Sequence, residues 1–103
     1  MNFLKALFST SEKADFKQLK RDGALIIDVR TPGEFAGGHI AGSINIPLDK
    51  IAARAAELKK KNKSIITCCR SGNRSGMAKT ILAEAGCDVY NGGAWDVLNE
   101  KIG

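Results

Sequence analysis

Short apolar runs separated by polar turns recur along the whole chain. Four of them, at residues 24–29, 43–46, 64–68 and 87–91, have the length and composition of β-strands, and the second and fourth are the weaker two. Near-continuous apolar runs are typical of strands that are covered on both faces. The pattern therefore predicts a sheet buried between two layers of other elements.

Between these runs, apolar residues recur at spacings of three and four, which predicts four amphipathic helices. Their apolar positions are Phe16 and Leu19, in a helix capped by Ser11 and ended by Gly23; Leu48, Ile51, Ala52, Ala55 and Leu58; Met77, Ala78, Ile81, Leu82 and Ala85, before Gly86; and Trp95, Leu98 and Ile102. Alternating strands and helices predict a parallel α/β sheet with helices on both faces. In such sheets, ligands bind beyond the carboxyl ends of the strands. The turn after Cys68 is therefore the first place to look for chemistry.

The chain has 103 residues, which predicts one domain over residues 1–103 and leaves no room for a separate cofactor-binding module. The net charge of +5 suits an anionic substrate or surface. No run approaches the roughly 18 apolar residues of a membrane span. The apolar part of residues 1–9 is short, and no small-residue cleavage site follows it, so we expect a cytoplasmic protein.

Three cysteines, Cys68, Cys69 and Cys87, make an odd number, and two of them are adjacent. We therefore expect no secreted disulfide framework, and the pattern favours a thiol with its own chemistry. One histidine and no Cys-x-x-Cys pair provide no ligand set for zinc. We expect neither a metal nor an organic cofactor, and we expect Cys87 to be a small apolar core residue.

Cys69 heads a polar loop at the point where an apolar strand ends and an amphipathic helix begins. Gly72 permits a turn in which successive N–H groups point inward and form an anion-binding nest. The start of the next helix, together with Arg70 and Arg74, adds positive character at the same place. This position favours the thiolate form of Cys69, and the nest of N–H groups suits either a thiolate that carries an extra sulfur atom or a bound oxyanion. The residues expected to bind it are Arg70, Ser71, Gly72, Asn73, Arg74 and Ser75.

The sequence resembles the single-domain rhodanese-like sulfurtransferases. The resemblance lies in the loop 69–75, in Asp28-Val29-Arg30 followed by Glu34, Gly38-His39-Ile40 and Asn45-Ile46-Pro47, and in Gly92-Gly93 before Trp95. It implies that Cys69 takes a sulfane sulfur from thiosulfate or another persulfide, and passes it to cyanide or a thiol. Thioredoxin and sulfur-carrier proteins are among the implied acceptors. The family fold also implies a strand before the first helix, so residues 1–10 are either a short extension or an abbreviated first strand, and the sheet has four or five strands.

Two other functions remain open from the sequence. Cys68, Arg74 and Ser75 also fit the C-x5-R-[ST] spacing of cysteine-dependent phosphatases, in which Cys68 would attack phosphorus. Thr67 stands where such phosphatases commonly carry a histidine. Rhodanese-like domains without the cysteine serve as binding modules, and the presence of Cys69 argues against that function.

The residues before the second predicted strand are expected to support the loop. Asp28 and Arg30 are placed behind it, where Asp28 orients Arg70 or Arg74, or caps its own turn. Arg30 and Glu34 are candidates to pair with each other. His39 is expected to tie a loop by hydrogen bonds and not to act as a base. The basic segment 50–63 is interpreted as a solvated helix end, so we expect no nucleic-acid partner.

Overall fold

A computed structural model describes residues 14–103 of the chain. The helices are α1 (Phe16–Arg21), α2 (Pro32–Ala36), α3 (Leu48–Lys60), α4 (Asn73–Glu84) and α5 (Trp95–Ile102), and the strands are β1 (Leu25–Asp28), β2 (Ile44–Asn45), β3 (Ile65–Cys69) and β4 (Val89–Ala94). The four strands form one parallel sheet in the order β2-β1-β3-β4. The expected α/β fold is thereby confirmed, with four strands in the described part of the chain.

The register of the sheet brings the ends of its strands together. Asp28 is paired with Asn45 on one side and with Cys68 on the other. On the far side of β3, Cys69 is paired with Ala94, after a shift of register between Thr67 and Cys69. The carboxyl ends of all four strands therefore lie along one edge, where parallel α/β sheets place their ligand sites.

Side chains alternate between two core layers on the two faces of the sheet. One layer contains Ile27, Ile65 and Cys69, packed with apolar residues of α3 and α4. The other contains Ile26, Ile66 and Cys68, packed with Leu98 of α5 and partly buried residues of α1. Adjacent residues of β3 thus face different environments.

Several boundaries differ from those predicted. α1 begins at Phe16 with Asp15 as its N-cap, whose carboxylate accepts the Gln18 N–H at 3.0 Å, so the expected cap at Ser11 is wrong. Ser11 itself, and the possible first strand at residues 1–10, lie outside the described residues. β3 runs one residue farther than predicted, through Cys69. Three residues assigned to apolar helix faces are exposed: Ala52 in α3, Met77 in α4, and Ala85, which is the C-cap that follows α4.

α2 was not predicted. Its five residues are too few to show helical periodicity, but its start carries a strong local signal. The Thr31 hydroxyl accepts the Glu34 N–H, the Glu34 carboxylate accepts the Thr31 N–H, and Pro32 follows the cap. This capping box places Glu34 beside the carboxyl edge of the sheet. Within residues 14–103, none of the helices has the length and apolarity needed to cross a membrane.

Candidate active site

The loop after β3 turns sharply at Gly72. Gly72 is the N-cap of α4 and has a φ of 104°, in the left-handed region that favours glycine. A side chain at this position would also approach the backbone of Gly93 in β4. The turn directs the first N–H groups of α4 back towards the end of β3.

The sulfur of Cys69 lies where these donors converge. Its Sγ accepts the N–H of Gly72 at 3.0 Å and the N–H of Ser75 at 3.4 Å. The hydroxyl oxygen of Ser75 lies 3.3 Å from the same sulfur. Burial raises the pKa of the Cys69 thiol, but hydrogen bonds from the Ser75 hydroxyl and the loop amides outweigh it and hold the pKa below its ordinary value. The thiolate is therefore favoured at this position.

Cys68 lies in the opposite environment, one residue earlier in β3. Its side chain is fully buried in the core layer formed with α1 and α5, on the other face of the sheet from Cys69. Burial, with the nearby Asp28 carboxylate as a smaller contribution, raises the pKa of the Cys68 thiol to about 12. The alternation of the strand thus separates two adjacent thiols into an ionisable one and an inert one.

The two arginines of the loop have different surroundings. Arg70 is exposed. Arg74 forms a two-pronged pair with the Glu34 carboxylate, with its Nη1 and Nη2 atoms 2.7 and 3.0 Å from the two oxygens. Hydrogen bonding by Arg74, and then by the Thr31 N–H, lowers the pKa of Glu34 to about 2. The Arg74–Glu34 pair therefore joins the start of α4 to α2.

Behind the loop, Asp28 and Arg30 form a buried ion pair. The Nε and Nη2 atoms of Arg30 lie 2.9 and 2.7 Å from the two Asp28 oxygens, and Nη2 also donates to the Gly38 carbonyl at 2.7 Å. The Arg30 guanidinium lies 4.8 Å from the ring centroid of Trp95, a cation–π contact. The pair fixes the segment between α2 and β2 to the end of β1.

These contacts correct one expectation and decide between the alternatives of another. The predicted Arg30–Glu34 side-chain pair is wrong, because Arg30 reaches only the Glu34 backbone carbonyl, at 3.3 Å. Of the two roles open to Asp28, the cap of its own turn is the one observed, since its Oδ1 accepts the Arg30 N–H at 3.1 Å and its carboxylate binds the Arg30 side chain, not a loop arginine. The expected loop-tying role of His39 is confirmed, since its Nδ1 lies 2.8 Å from the Phe35 carbonyl oxygen and its ring stacks on Phe35.

An open cleft of about 390 Å³ lies beside the loop. It is lined by Arg30, Gly33, Glu34, Gly37, Gly38, Arg70, Trp95 and Asp96. Among the expected binding residues, Arg70 alone lines this cleft, while Ser71 and Asn73 are exposed on the loop and Ser75 is fully buried beneath the sulfur. The exposed guanidinium of Arg70 is thus available to an anion approaching the loop.

Sequence reasoning missed one residue at this site and gave another the wrong partner. Asn91 of β4 binds both Gly72 and Ser75 through its carboxamide. Glu34 is the partner of Arg74, which is 40 positions away in the chain. The capping motif Thr31-x-x-Glu34 could have located α2. No local pattern indicates the contacts of Asn91, because they depend on how β4 packs beside α4.

Comparison with known proteins agrees with this fold. The Rhodanese-like domain family matches residues 12–97. The thiosulfate sulfurtransferase PspE of Escherichia coli (strain K12) is 40% identical over 79 residues, covering 74% of this chain and 76% of that protein. The uncharacterized protein YqhL of Bacillus subtilis (strain 168) is 44% identical over 69 residues, covering 66% of this chain and 54% of YqhL, so the chain spans about half of that relative.

Among solved structures, a rhodanese with anions from E. coli has a TM-score of 0.65 and 38% sequence identity, covering 72% of this chain and 89% of that one. The family match covers well over half of the chain and includes every described strand. The chain therefore belongs to the rhodanese-like domain family.

Proposed function

We propose that this protein is a sulfurtransferase that carries sulfur on Cys69, from thiosulfate or a persulfide donor to a thiophilic acceptor. The convergence of the Gly72 N–H, the Ser75 N–H and the Ser75 hydroxyl on one sulfur atom is the observation that carries the proposal. These donors favour a thiolate and equally suit the anionic terminal sulfur of a persulfide. The similar protein PspE is named a thiosulfate sulfurtransferase, which supports this chemistry.

In the first half-reaction, the Cys69 thiolate attacks the outer, sulfane sulfur of thiosulfate. A new S–S bond forms on Cys69, the S–S bond of thiosulfate breaks, and sulfite leaves with the bonding electron pair. No proton moves, because nucleophile and leaving group are both anions. The lowered pKa of Cys69 therefore replaces a general base.

In the second half-reaction, an acceptor attacks the terminal sulfur of the Cys69 persulfide. Cyanide leaves as thiocyanate, or a thiolate leaves as a new persulfide, and the electron pair of the broken S–S bond returns to Cys69 as thiolate. The two half-reactions make a ping-pong cycle with one covalent intermediate. Candidate acceptors are cyanide, a small thiol, thioredoxin and a sulfur-carrier protein.

Arg70 is the proposed contact for the anionic donor. Its side chain is exposed at the cleft beside the loop, and its guanidinium has no carboxylate partner within the described residues. Arg74 and Arg30, by contrast, are each paired with a carboxylate. Arg70 is therefore the arginine that we expect to attract thiosulfate.

The rival phosphatase hypothesis requires Cys68 as the nucleophile. Full burial and a pKa raised to about 12 leave the Cys68 thiolate essentially unpopulated at neutral pH. Its side chain also lies on the opposite face of the sheet from the amides of the loop. These observations disfavour the phosphatase reaction. The ionisable Cys69 likewise favours an enzyme over a binding module.

Intact-mass spectrometry after incubation with thiosulfate tests the proposal. We expect a gain of one sulfur atom, about 32 Da, that is lost on adding cyanide, as covalent two-step catalysis requires. Cys69→Ser should abolish both the gain and thiosulfate:cyanide turnover. Cys68→Ser is the matched control and should retain most of each. A wild-type protein that gains no mass, or a Cys69→Ser variant that still gains it, would overturn the proposal.

A further inference from the structure

The carboxamide of Asn91 binds three groups around the loop. Its Nδ2 donates to the Gly72 carbonyl at 3.2 Å. Its Oδ1 accepts the Ser75 hydroxyl at 2.7 Å and the Gly93 N–H at 2.9 Å. Asn91 is exposed, so water could satisfy its carboxamide, and burial does not explain why it makes these three bonds. They orient the carboxamide towards the two loop residues that contact the Cys69 sulfur.

The Ser75 hydroxyl has one proton and two neighbours that can accept it. Asn91 Oδ1 lies 2.7 Å from its oxygen, and Cys69 Sγ lies 3.3 Å away. When the sulfur carries a proton, the S–H can donate to Ser75 and the hydroxyl can donate to Asn91. When the sulfur is an anion it can only accept, so the hydroxyl proton must turn from Asn91 to the sulfur.

Asn91 is held in place during this change. Its oxygen retains the Gly93 N–H, and its nitrogen still donates to Gly72. The Gly72 N–H, which contacts the sulfur at 3.0 Å, belongs to the same residue whose carbonyl Asn91 binds. One side chain of β4 therefore fixes two of the donors that face Cys69.

We propose that Asn91 is a positioning residue for the chemistry of Cys69, acting through the Ser75 hydroxyl and the Gly72 turn. This inference rests on the proposed sulfur transfer, but it concerns a residue of β4 that does not hydrogen-bond to the Cys69 sulfur and does not line the cleft proposed for thiosulfate. Asn91 accepts the hydrogen bond of the Ser75 hydroxyl while Cys69 is a thiol. When the sulfur becomes anionic, the hydroxyl donates to the sulfur instead. A role confined to joining β4 to α4 would affect stability without this dependence on Ser75.

Asn91→Asp gives a near-isosteric test with a defined sign. The carboxylate still accepts from Ser75 and Gly93, but it has no proton to donate to the Gly72 carbonyl. It also places a negative charge beside the loop and holds the Ser75 proton more strongly. All three effects disfavour the Cys69 thiolate, so the pH midpoint of iodoacetamide alkylation at Cys69 should rise, by about one unit. Asn99→Ala, at an exposed position of α5, is the matched control and should leave the midpoint unchanged.

A double-mutant cycle separates positioning from simple support of the fold. Asn91→Ala should slow the single-turnover gain of sulfur by about tenfold, within the range of coupling between contacting residues. In a Ser75→Ala background, where the hydroxyl is absent and only the bond to the Gly72 carbonyl remains to be lost, the same substitution should slow it by clearly less, about threefold. The unfolding temperature of each variant is measured alongside.

Three results would overturn the inference. The first is that Asn91→Ala slows sulfur uptake equally in the wild-type and Ser75→Ala backgrounds. The second is that Asn91→Asp does not raise the alkylation midpoint. The third is that the loss of activity across the variants is proportional to the fall in unfolding temperature. Failure of the proposed function would appear differently. A wild-type protein that takes up no sulfur removes the rate measurement, but the alkylation midpoints of Asn91→Asp and Asn99→Ala still decide whether Asn91 controls Cys69.

Discussion

Two arginine–carboxylate pairs in this protein have the same shortest distance and opposite surroundings. Arg30–Asp28 and Arg54–Glu57 both show an N–O distance of 2.7 Å. The side chains of the first pair are 5% and 0% exposed, while those of the second are 43% and 51% exposed. Distance is therefore held constant while burial changes, which makes the pairs a test of what determines the energy of an ion pair.

We expect Arg30→Met to destabilise the protein strongly. The substitution keeps the apolar stem but leaves the fully buried Asp28 carboxylate without its partner, and it removes bonds to the Gly38 and Glu34 carbonyls. Breaking a buried pair in this way costs about 3–5 kcal/mol. A domain of this size is stable by only about 5–15 kcal/mol, so the loss is a large fraction of the total.

Urea unfolding at pH 7 measures the loss. With a slope of about 1–3 kcal/mol per molar urea, the Arg30→Met midpoint should fall by roughly 1–5 M. Arg54→Met is the control, and it should leave the midpoint within experimental error because water screens the exposed pair.

A double variant tests whether the charge is the cause. Asp28→Asn combined with Arg30→Met removes both charges, while the residue 28 side-chain oxygen can still accept the N–H of residue 30, as it does at 3.1 Å in the native protein. This variant should be more stable than Arg30→Met alone. Equal effects of Arg30→Met and Arg54→Met, or a double variant no more stable than Arg30→Met, would refute the reasoning.

Four further predictions concern the loop and the helix α2 beside it. Arg70→Ala should raise KM for thiosulfate with kcat little changed, and the effect should shrink as salt is added; an unchanged KM in steady-state kinetics would contradict it. Arg74→Ala and Glu34→Gln should each lower kcat and the unfolding temperature, because they break the same pair; activity loss without thermal destabilisation would contradict that. Sulfur uptake should be lost as the pH falls through the pKa of Cys69, which the loop donors hold below its ordinary value, and a rate midpoint at or above about 8.5 would contradict it. Glu34, with a pKa of about 2, remains ionised over neutral and mildly acidic pH, so urea unfolding followed against pH should show its contribution to stability lost only as the pH falls from about 4.5 towards 2.

Much of the fold could be predicted from local patterns. The apolar runs gave the positions of the four described strands, and helical spacing located α3, α4 and α5. The errors fall where a local signal is short or ambiguous. α2 is a five-residue helix defined by its cap, and Met77 has an apolar side chain on the exposed side of α4. The spacing of apolar residues in a helix does not by itself indicate which of them the sheet will bury.

The ion pairs of Arg30 and Arg74 were beyond local reasoning. Arg30 and Glu34 are four residues apart, a spacing that favours pairing within a helix. Arg30, however, precedes the N-cap Thr31 and therefore lies outside α2. Its side chain turns to Asp28, two residues earlier, at the buried end of β1. Glu34 is then free to bind Arg74, a contact that exists only because α2 packs beside the loop.

α2 links the buried charge pair to the loop. Arg30 holds it from one side through the Glu34 carbonyl, and Arg74 holds it from the other through the Glu34 carboxylate. Neither arginine touches the Cys69 sulfur, whose hydrogen-bond donors come from Gly72 and Ser75. Because Arg74 lies in the first turn of α4, movement of α2 would act on the same turn that aims those donors. Loss of Arg30 should therefore slow the chemistry of Cys69 as well as destabilise the fold. Loss of Arg54, whose side chain hydrogen-bonds to Glu57 three residues away, should do neither.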